Sequence, residues 1–176
     1  MSATEPQSQF EQIVMPHLDA AYNLARWLAG NDHDAEDIAQ EAALRAYRFL
    51  GGFRGGNSRS WLLSIVRNTA YTWLKQNRPQ AIVSIDAEEM TEIEDPKALA
   101  NHSSALHHAD RDVLKAALDS LPVEFREALI LRELEGLSYK EIADIADVPI
   151  GTVMSRLARA RKLLQEYLSK KGDVRK

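Results

Sequence analysis

Apolar residues recur at helical spacing along almost the whole 176-residue chain, and no stretch alternates convincingly like a half-buried strand. An all-α fold follows. The spacing predicts helices near 9–29, 34–50, 58–78, 110–120, 122–135, 138–146 and 150–169. Asn31 and Asp34 suit helix caps, Pro122 suits a first turn, and Gly136 follows the end of that same helix. Between Pro79 and His108 the pattern fades into acidic, small and polar residues with a further proline, Pro96. That stretch is too irregular for a core and too long for an ordinary loop. It reads as a flexible acidic linker, 80–109, joining two small helical domains at 1–79 and 110–172. No internal repeat is evident.

Composition narrows the chemistry. The chain has no cysteine, which removes disulfides, thiol nucleophiles, iron–sulfur clusters and Cys-type zinc sites. No run approaches the roughly 20 apolar residues that span a bilayer, and the polar start Met1-Ser-Ala-Thr-Glu5 does not read as a signal peptide. A cytoplasmic protein without membrane insertion is expected. The net charge of −4 conceals a segregated distribution. Residues 1–41 carry eight acids against one base, whereas 42–80 carry seven bases and no acid. Residues 81–109 hold six acids and one base, 110–149 ten acids and five bases, and 150–176 eight bases and two acids. Two basic blocks set among acidic ones point to two polyanion contacts, because phosphate binding follows local potential. Solvated helix faces are the alternative for either block alone.

The last third has the pattern of a helix-turn-helix. Ser138-Tyr-Lys-Glu141 is a capping box, and Ile142, Ala143, Ile145 and Ala146 make a short helix with small residues where a second helix crosses. Asp147-Val-Pro149 breaks it. In the helix that follows, Val153, Leu157, Ala160 and Leu164 form the inward stripe. Thr152, Ser155, Arg156, Arg159 and Lys162 form the expected outward face, which suits a recognition helix entering the major groove. A helical hairpin with a basic exposed face is the plainer reading.

Two surfaces are expected on the first domain. In helix 58–78, Leu62, Ile65, Val66, Thr69 and Trp73 form one face, and Ser64, Arg67, Asn68, Tyr71, Lys75 and Arg78 the opposite one. Cations, an amide and an aromatic together can grip phosphates while stacking or bonding unpaired bases. The preceding loop, Phe53-Arg-Gly-Gly56-Asn57-Ser58, lacks the Gly-Lys-Ser/Thr ending of a nucleotide P-loop. Trp61 and Trp73 read as core. In helix 34–50, Ala39, Ala42, Ala43, Ala46 and Phe49 are expected inward, leaving Asp37, Gln40, Glu41, Leu44, Arg45 and Arg48 exposed. Leu44 among these polar residues suggests a protein-docking face, although lone surface leucines are common. His33, Asp34, Glu36 and Asp37 read as a solvated acidic helix start rather than a metal site, and His102, His107 and His108 make no convincing zinc set. No metal or cofactor is expected.

These segments resemble the extracytoplasmic-function branch of the bacterial sigma-70 family. Asp34-Ala-Glu-Asp-Ile-Ala-Gln-Glu41 with Leu44-Arg45-Ala46-Tyr47-Arg48 is similar to the family's core-polymerase-binding helix. Phe53-Arg54-Gly55, Trp61-Leu62 and Arg67-Asn68-Thr69-Ala70 are similar to its −10 element segment. Leu121-Pro122, Phe125-Arg126-Glu127, Gly136-Leu-Ser-Tyr-Lys-Glu-Ile-Ala143 and Gly151-Thr-Val-Met-Ser-Arg-Leu-Ala-Arg-Ala-Arg161 are similar to its −35 domain. The resemblance implies a dissociable, non-catalytic initiation subunit with core RNA polymerase, promoter DNA and an anti-sigma factor as partners. It implies docking through Asp37, Gln40, Glu41, Leu44 and Arg48. It implies −10 contacts from Phe53, Arg67, Asn68, Tyr71 and Lys75, and −35 contacts from Thr152, Ser155, Arg156 and Arg159. A membrane-bound anti-sigma factor would hold the protein at the inner membrane face, and the linker would thread the RNA exit path. Two departures stand out: Met154 occupies a position where the family usually has Arg or Lys, and the Gly55–Ser60 loop is about one residue short. A conventional helix-turn-helix regulator is the alternative. A helical enzyme has no triad or ligand cluster here to support it.

Overall fold

The computed structural model describes residues 4–82 and 111–174, so the expectations for the 80–109 linker, with its histidines, lie almost wholly outside the described residues. The chain divides into two compact units. All regular elements among the described residues are helical.

The first unit begins with α1 (Thr4–Ile13), a short 3-10 turn (Met15–His17) and α2 (Leu18–Ala29). The single helix expected over 9–29 is therefore broken. Pro16 explains the break, because proline lacks an N–H and its ring collides with the carbonyl four residues back. Val14 N–H closes α1 on Phe10 O at 2.9 Å, and His17 N–H bonds Val14 O at 2.9 Å in the tight turn that follows. Gly30, at φ 88, ends α2 in the left-handed conformation that glycine adopts freely. Asn31 then caps α3 (Asp32–Arg48), its Oδ1 accepting from Asp34 N–H at 2.9 Å. The cap is thus Asn31 alone, with Asp34 inside the first turn.

The buried face of α3 is Ala35, Ile38, Ala42 and Ala46, and its three alanines let α2 and α4 approach closely. Phe49, expected inward, is exposed. The helix has ended by then, and a 3-10 turn (Leu50–Gly52) swings Leu50 into the core instead. Helix α4 (Ser58–Asn77) starts at Asn57, whose Oδ1 accepts from Ser60 N–H at 3.1 Å. It packs against both α2 and α3, so its buried side is broader than one helical stripe. Leu62, Leu63, Val66, Thr69, Ala70, Tyr71 and Leu74 are all buried on it.

The second unit comprises α5 (Arg111–Asp119), α6 (Val123–Leu129), α7 (Tyr139–Ala146) as far as Ala143, and α8 (Ile150–Val174). Pro122 is the N-cap of α6 rather than a first-turn residue, and its carbonyl accepts from Phe125 and Arg126 N–H at 3.0 Å each. Helix α6 runs on as a π-helical turn (Ile130–Leu134), with Glu135 N–H bonded to Ile130 O at 3.0 Å. Gly136, at φ 66, follows it. Ser138 caps α7 as expected, its Oγ accepting from Glu141 N–H at 3.1 Å. Asp147 turns the chain at φ 56, a conformation that aspartate tolerates better than most residues. Thr152 N–H on Pro149 O, at 3.0 Å, then opens α8. Val153, Leu157, Ala160 and Leu164 are buried along α8, matching the expected stripe. Short helix, tight turn and long second helix form the helix-turn-helix.

Candidate functional site

On α3 the spacing of Asp37, Gln40, Glu41, Leu44 and Arg48 places all five on one face, and all but Glu41 are exposed. Leu44 is 54% exposed, a large apolar side chain offered to solvent between charges. Arg45 Nε donates to Glu41 Oε1 at 3.1 Å, holding the half-buried carboxylate along the helix. Tyr47 is exposed beside this face and meets Phe10 of α1 edge-on, with ring centroids 5.7 Å apart.

The acidic start of α3 is committed internally. Asp34 Oδ2 accepts from Arg78 Nη2 and from Asn31 Nδ2, both at 2.7 Å. Arg26 pairs with Asp32, to which Tyr22 also donates at 3.3 Å. Partial burial, then the Asp32 carboxylate, raises the Tyr22 pKa above the usual phenol value. Ligand atoms of His33, Asp34 and Asp37 lie within 4.8 Å of one another. Asp34 is already claimed by Arg78, and the positive end of α3 opposes a cation.

On α4, Arg67, Asn68 and Tyr71 form one cluster. The Arg67 guanidinium lies 3.9 Å over the Tyr71 ring, and its Nη1 donates to Asn68 Oδ1 at 3.4 Å. Tyr71, expected on the exposed face, is instead buried, because α4 packs on two helices and Arg67 covers its ring. Asn68 and Lys75 are exposed. Arg78, counted with this face in the sequence, turns away to Asp34 and lies 5.0 Å from the Trp73 ring centroid. Phe53 pairs with Trp61 at 5.2 Å between centroids, and both are half-buried. Between them Gly55 and Gly56 hold φ of +89 and +88, which explains the paired glycines. His17 and Ser58 share a hydrogen bond of 3.0 Å, which ties the turn before α2 to the start of α4. Nothing in the sequence pattern signals that bond.

On α8, Thr152 and Arg159 are half-buried and Lys162 is exposed. Ser155, expected outward, is buried, and its hydroxyl donates to Gly151 O at 3.0 Å. A serine that bonds back four residues satisfies itself within its own helix, so polarity does not force it into water. Arg156 lies 3.6 Å from Glu124 at the start of α6. Arg161 is buried and donates to Glu133 at 2.8 Å. The acids of these pairs stand 32 and 28 residues from their arginines, a separation no local pattern reports.

A helix-turn-helix with basic side chains on its second helix, together in one chain with a separate helical unit carrying an arginine–amide–tyrosine cluster, defines a DNA-directed helical protein. Residues 13–80 match the model of Sigma-70 region 2, and residues 111–164 that of Sigma-70 region 4. The chain is 42% identical over 137 residues to the ECF RNA polymerase sigma-E factor of Escherichia coli K12, covering 74% of this chain and 72% of that one. It is 37% identical over 162 residues to the ECF RNA polymerase sigma factor SigE of Mycolicibacterium smegmatis, covering 92% of this chain but 62% of that longer protein. Among solved structures, the sigma factor RpoE in complex with the anti-sigma factor NepR from Bartonella quintana is similar at a TM-score of 0.69 and 30% identity. That likeness covers 91% of this chain and 96% of that one. The chain belongs to the extracytoplasmic-function branch of the sigma-70 family, the alternative, non-catalytic subunits of transcription initiation. With both regions matched in one chain, the conventional-regulator alternative has no support. No helix among the described residues is long and apolar enough to cross a membrane.

Proposed function

We propose that the protein binds core RNA polymerase and directs it to promoters by recognising a −35 and a −10 element and melting the latter. Residues 1–79 serve as the core- and −10-binding domain, 80–109 as the tether and 110–172 as the −35-binding domain. Core polymerase docks on Asp37, Gln40, Glu41, Leu44 and Arg48. The single observation that carries this reading is Leu44, 54% exposed within a polar helix face. Leu44 does not stand alone, because Tyr47 three residues on is 49% exposed, and an apolar pair within a charged helix face suits a surface that is covered in a complex.

Arg67, Asn68, Tyr71 and Lys75, with Phe53, meet the melted −10 strand. Extracting a base costs a few kcal/mol, which contacts from an amide, a ring and nearby cations offset. Tyr71 offers its ring once Arg67 moves from stacking to a phosphate. Thr152, Ser155, Arg156 and Arg159 meet the −35 element. The Ser155 hydroxyl, although it donates to Gly151 O, keeps its acceptor capacity. The protein works in the cytoplasm with polymerase and is restrained by an anti-sigma factor, one bound to the membrane holding it at the inner face. Run-off transcription with core polymerase on genomic fragments tests the reading: specific transcripts that depend on this chain support it, and failure to bind core overturns it.

A further inference from the structure

Three arginines of the second unit each make at least one short hydrogen bond, although the buried Nε of Arg161 has no partner among the described residues. Arg126 donates to Leu118 O at 3.0 Å and Leu121 O at 3.1 Å. Arg132 donates to Leu137 O at 2.8 Å and lies 4.6 Å from the Tyr139 ring centroid. Arg161 donates to Glu133 at 2.8 Å. Arg156 differs. Its Nη2 stops 3.6 Å from Glu124 Oε2, too far for a hydrogen bond, and its buried Nε has no partner among the described residues. Its side chain is nevertheless only 12% exposed. A guanidinium presents five N–H donors, and its desolvation is offset only where good hydrogen bonds replace water. Arg156 therefore rests in a poorly satisfied state, one turn from Thr152 and close to Arg159 on α8.

We propose that Glu124 is a counter-ion that holds Arg156 in reserve, and that a backbone phosphate of duplex DNA displaces Glu124 and takes the arginine over. This rests on the reading of α8 as a DNA-facing helix. Phosphate offers the guanidinium short, charge-assisted and bidentate bonds that Glu124 at 3.6 Å does not. Glu124 tolerates the exchange. It is 21% exposed and lies in the first turn of α6, where the helix dipole favours a negative charge. It is therefore not left as a buried, unpaired carboxylate. Arg161 is not exchangeable in this way, being 6% exposed and already bonded at 2.8 Å. Glu124 thus sets how much of the positive charge of α8 is spent within the protein and how much reaches DNA.

The test uses the full chain with core polymerase, on a duplex that the wild-type holoenzyme selects from a random-sequence pool, with affinity measured at stepped salt. Glu124→Gln is expected to tighten binding about three- to tenfold. Glu124→Asp keeps the charge but shortens its arm, and is expected between the two. Arg156→Ala is expected to weaken binding, to reduce the log K against log salt slope by about 0.9, and to make Glu124→Gln silent. Thermal unfolding of each variant separates misfolding from lost contacts. If Glu124→Gln weakens binding while unfolding is unchanged, the pair is a fixed brace and the proposal fails. It fails equally if the tightening persists in the Arg156→Ala background, which would mark a general charge effect. A wild-type holoenzyme that retains no duplex refutes the DNA-facing reading of α8 instead.

Discussion

Replacing Glu133 by glutamine removes the carboxylate to which buried Arg161 donates at 2.8 Å, and the structure predicts an unequal cost for breaking the pair from its two sides. Arg161 is 6% exposed and its Nε already lacks a partner, so without Glu133 it becomes a buried cation with no anion. Glu133 is 27% exposed, so without Arg161 it turns to water. Breaking a fully buried pair costs about 3–5 kcal/mol. Discounting for the water that reaches Glu133 leaves about 2–3 kcal/mol for Glu133→Gln. Arg161→Met, which fills similar volume and removes both the charge and the orphaned N–H, is expected to cost less than half of that. All three tryptophans lie in the first unit, so their fluorescence during urea unfolding serves as an internal control that should not move. Hydrogen exchange of peptides from 123–164 reads the second unit, where Glu133→Gln is expected to raise opening roughly 30- to 150-fold. An Arg161→Met variant less stable than Glu133→Gln, or a change below tenfold for the latter, would refute the reasoning.

Glu41→Lys with Leu44→Ala is expected to abolish capture of core polymerase in a pull-down while the helical circular dichroism signal stays intact; retained capture removes α3 from the docking surface. Asn31→Ala deletes the cap bond to Asp34 N–H and is expected to cost the first unit about 1 kcal/mol, read by tryptophan fluorescence in urea. Asn68→Ala is expected to erase discrimination among −10 sequences by the holoenzyme while core affinity is kept, and unchanged selectivity sinks that assignment. Arg159→Ala is expected to weaken −35 binding by about 1–3 kcal/mol if it reads a base edge, with the loss confined to particular promoter positions rather than spread over all sequences.

The course of the chain was largely legible from residue order. The spacing places α4 at 58–78 and it runs Ser58–Asn77, while the Ser138 half of the capping box and the stripe Val153, Leu157, Ala160, Leu164 are present; no return bond from Glu141 is made among the described residues. These features are local, since a cap reaches three residues and a stripe follows the 3.6-residue turn. Periodicity misleads where it runs through a residue that forbids a helix, as at Pro16, or past the end of one, as at Phe49. The π-turn at Ile130–Leu134 leaves the apolar pattern of a helix in place, so the pattern conceals it.

The charged face was legible only in part. Residue order shows seven bases and no acid over 42–80 and a basic end at 150–176, and from these the sites of polyanion contact were inferred. It does not show that Arg78 is held by Asp34, Arg156 by Glu124 and Arg161 by Glu133. Nor does it show that Tyr71 lies beneath Arg67 or that Ser155 turns back into its own helix. Helix formation and capping depend on neighbours along the chain, so the all-α class and the helix-turn-helix were settled there. The pairing of a cation depends on which carboxylate the packing of helices brings beside it, often some 30–45 residues away, and burial of a polar side chain depends on how many helices surround it. For that reason the supply of free positive charge on the proposed DNA-facing helices is a property of the packed domains and not of the count of lysines and arginines.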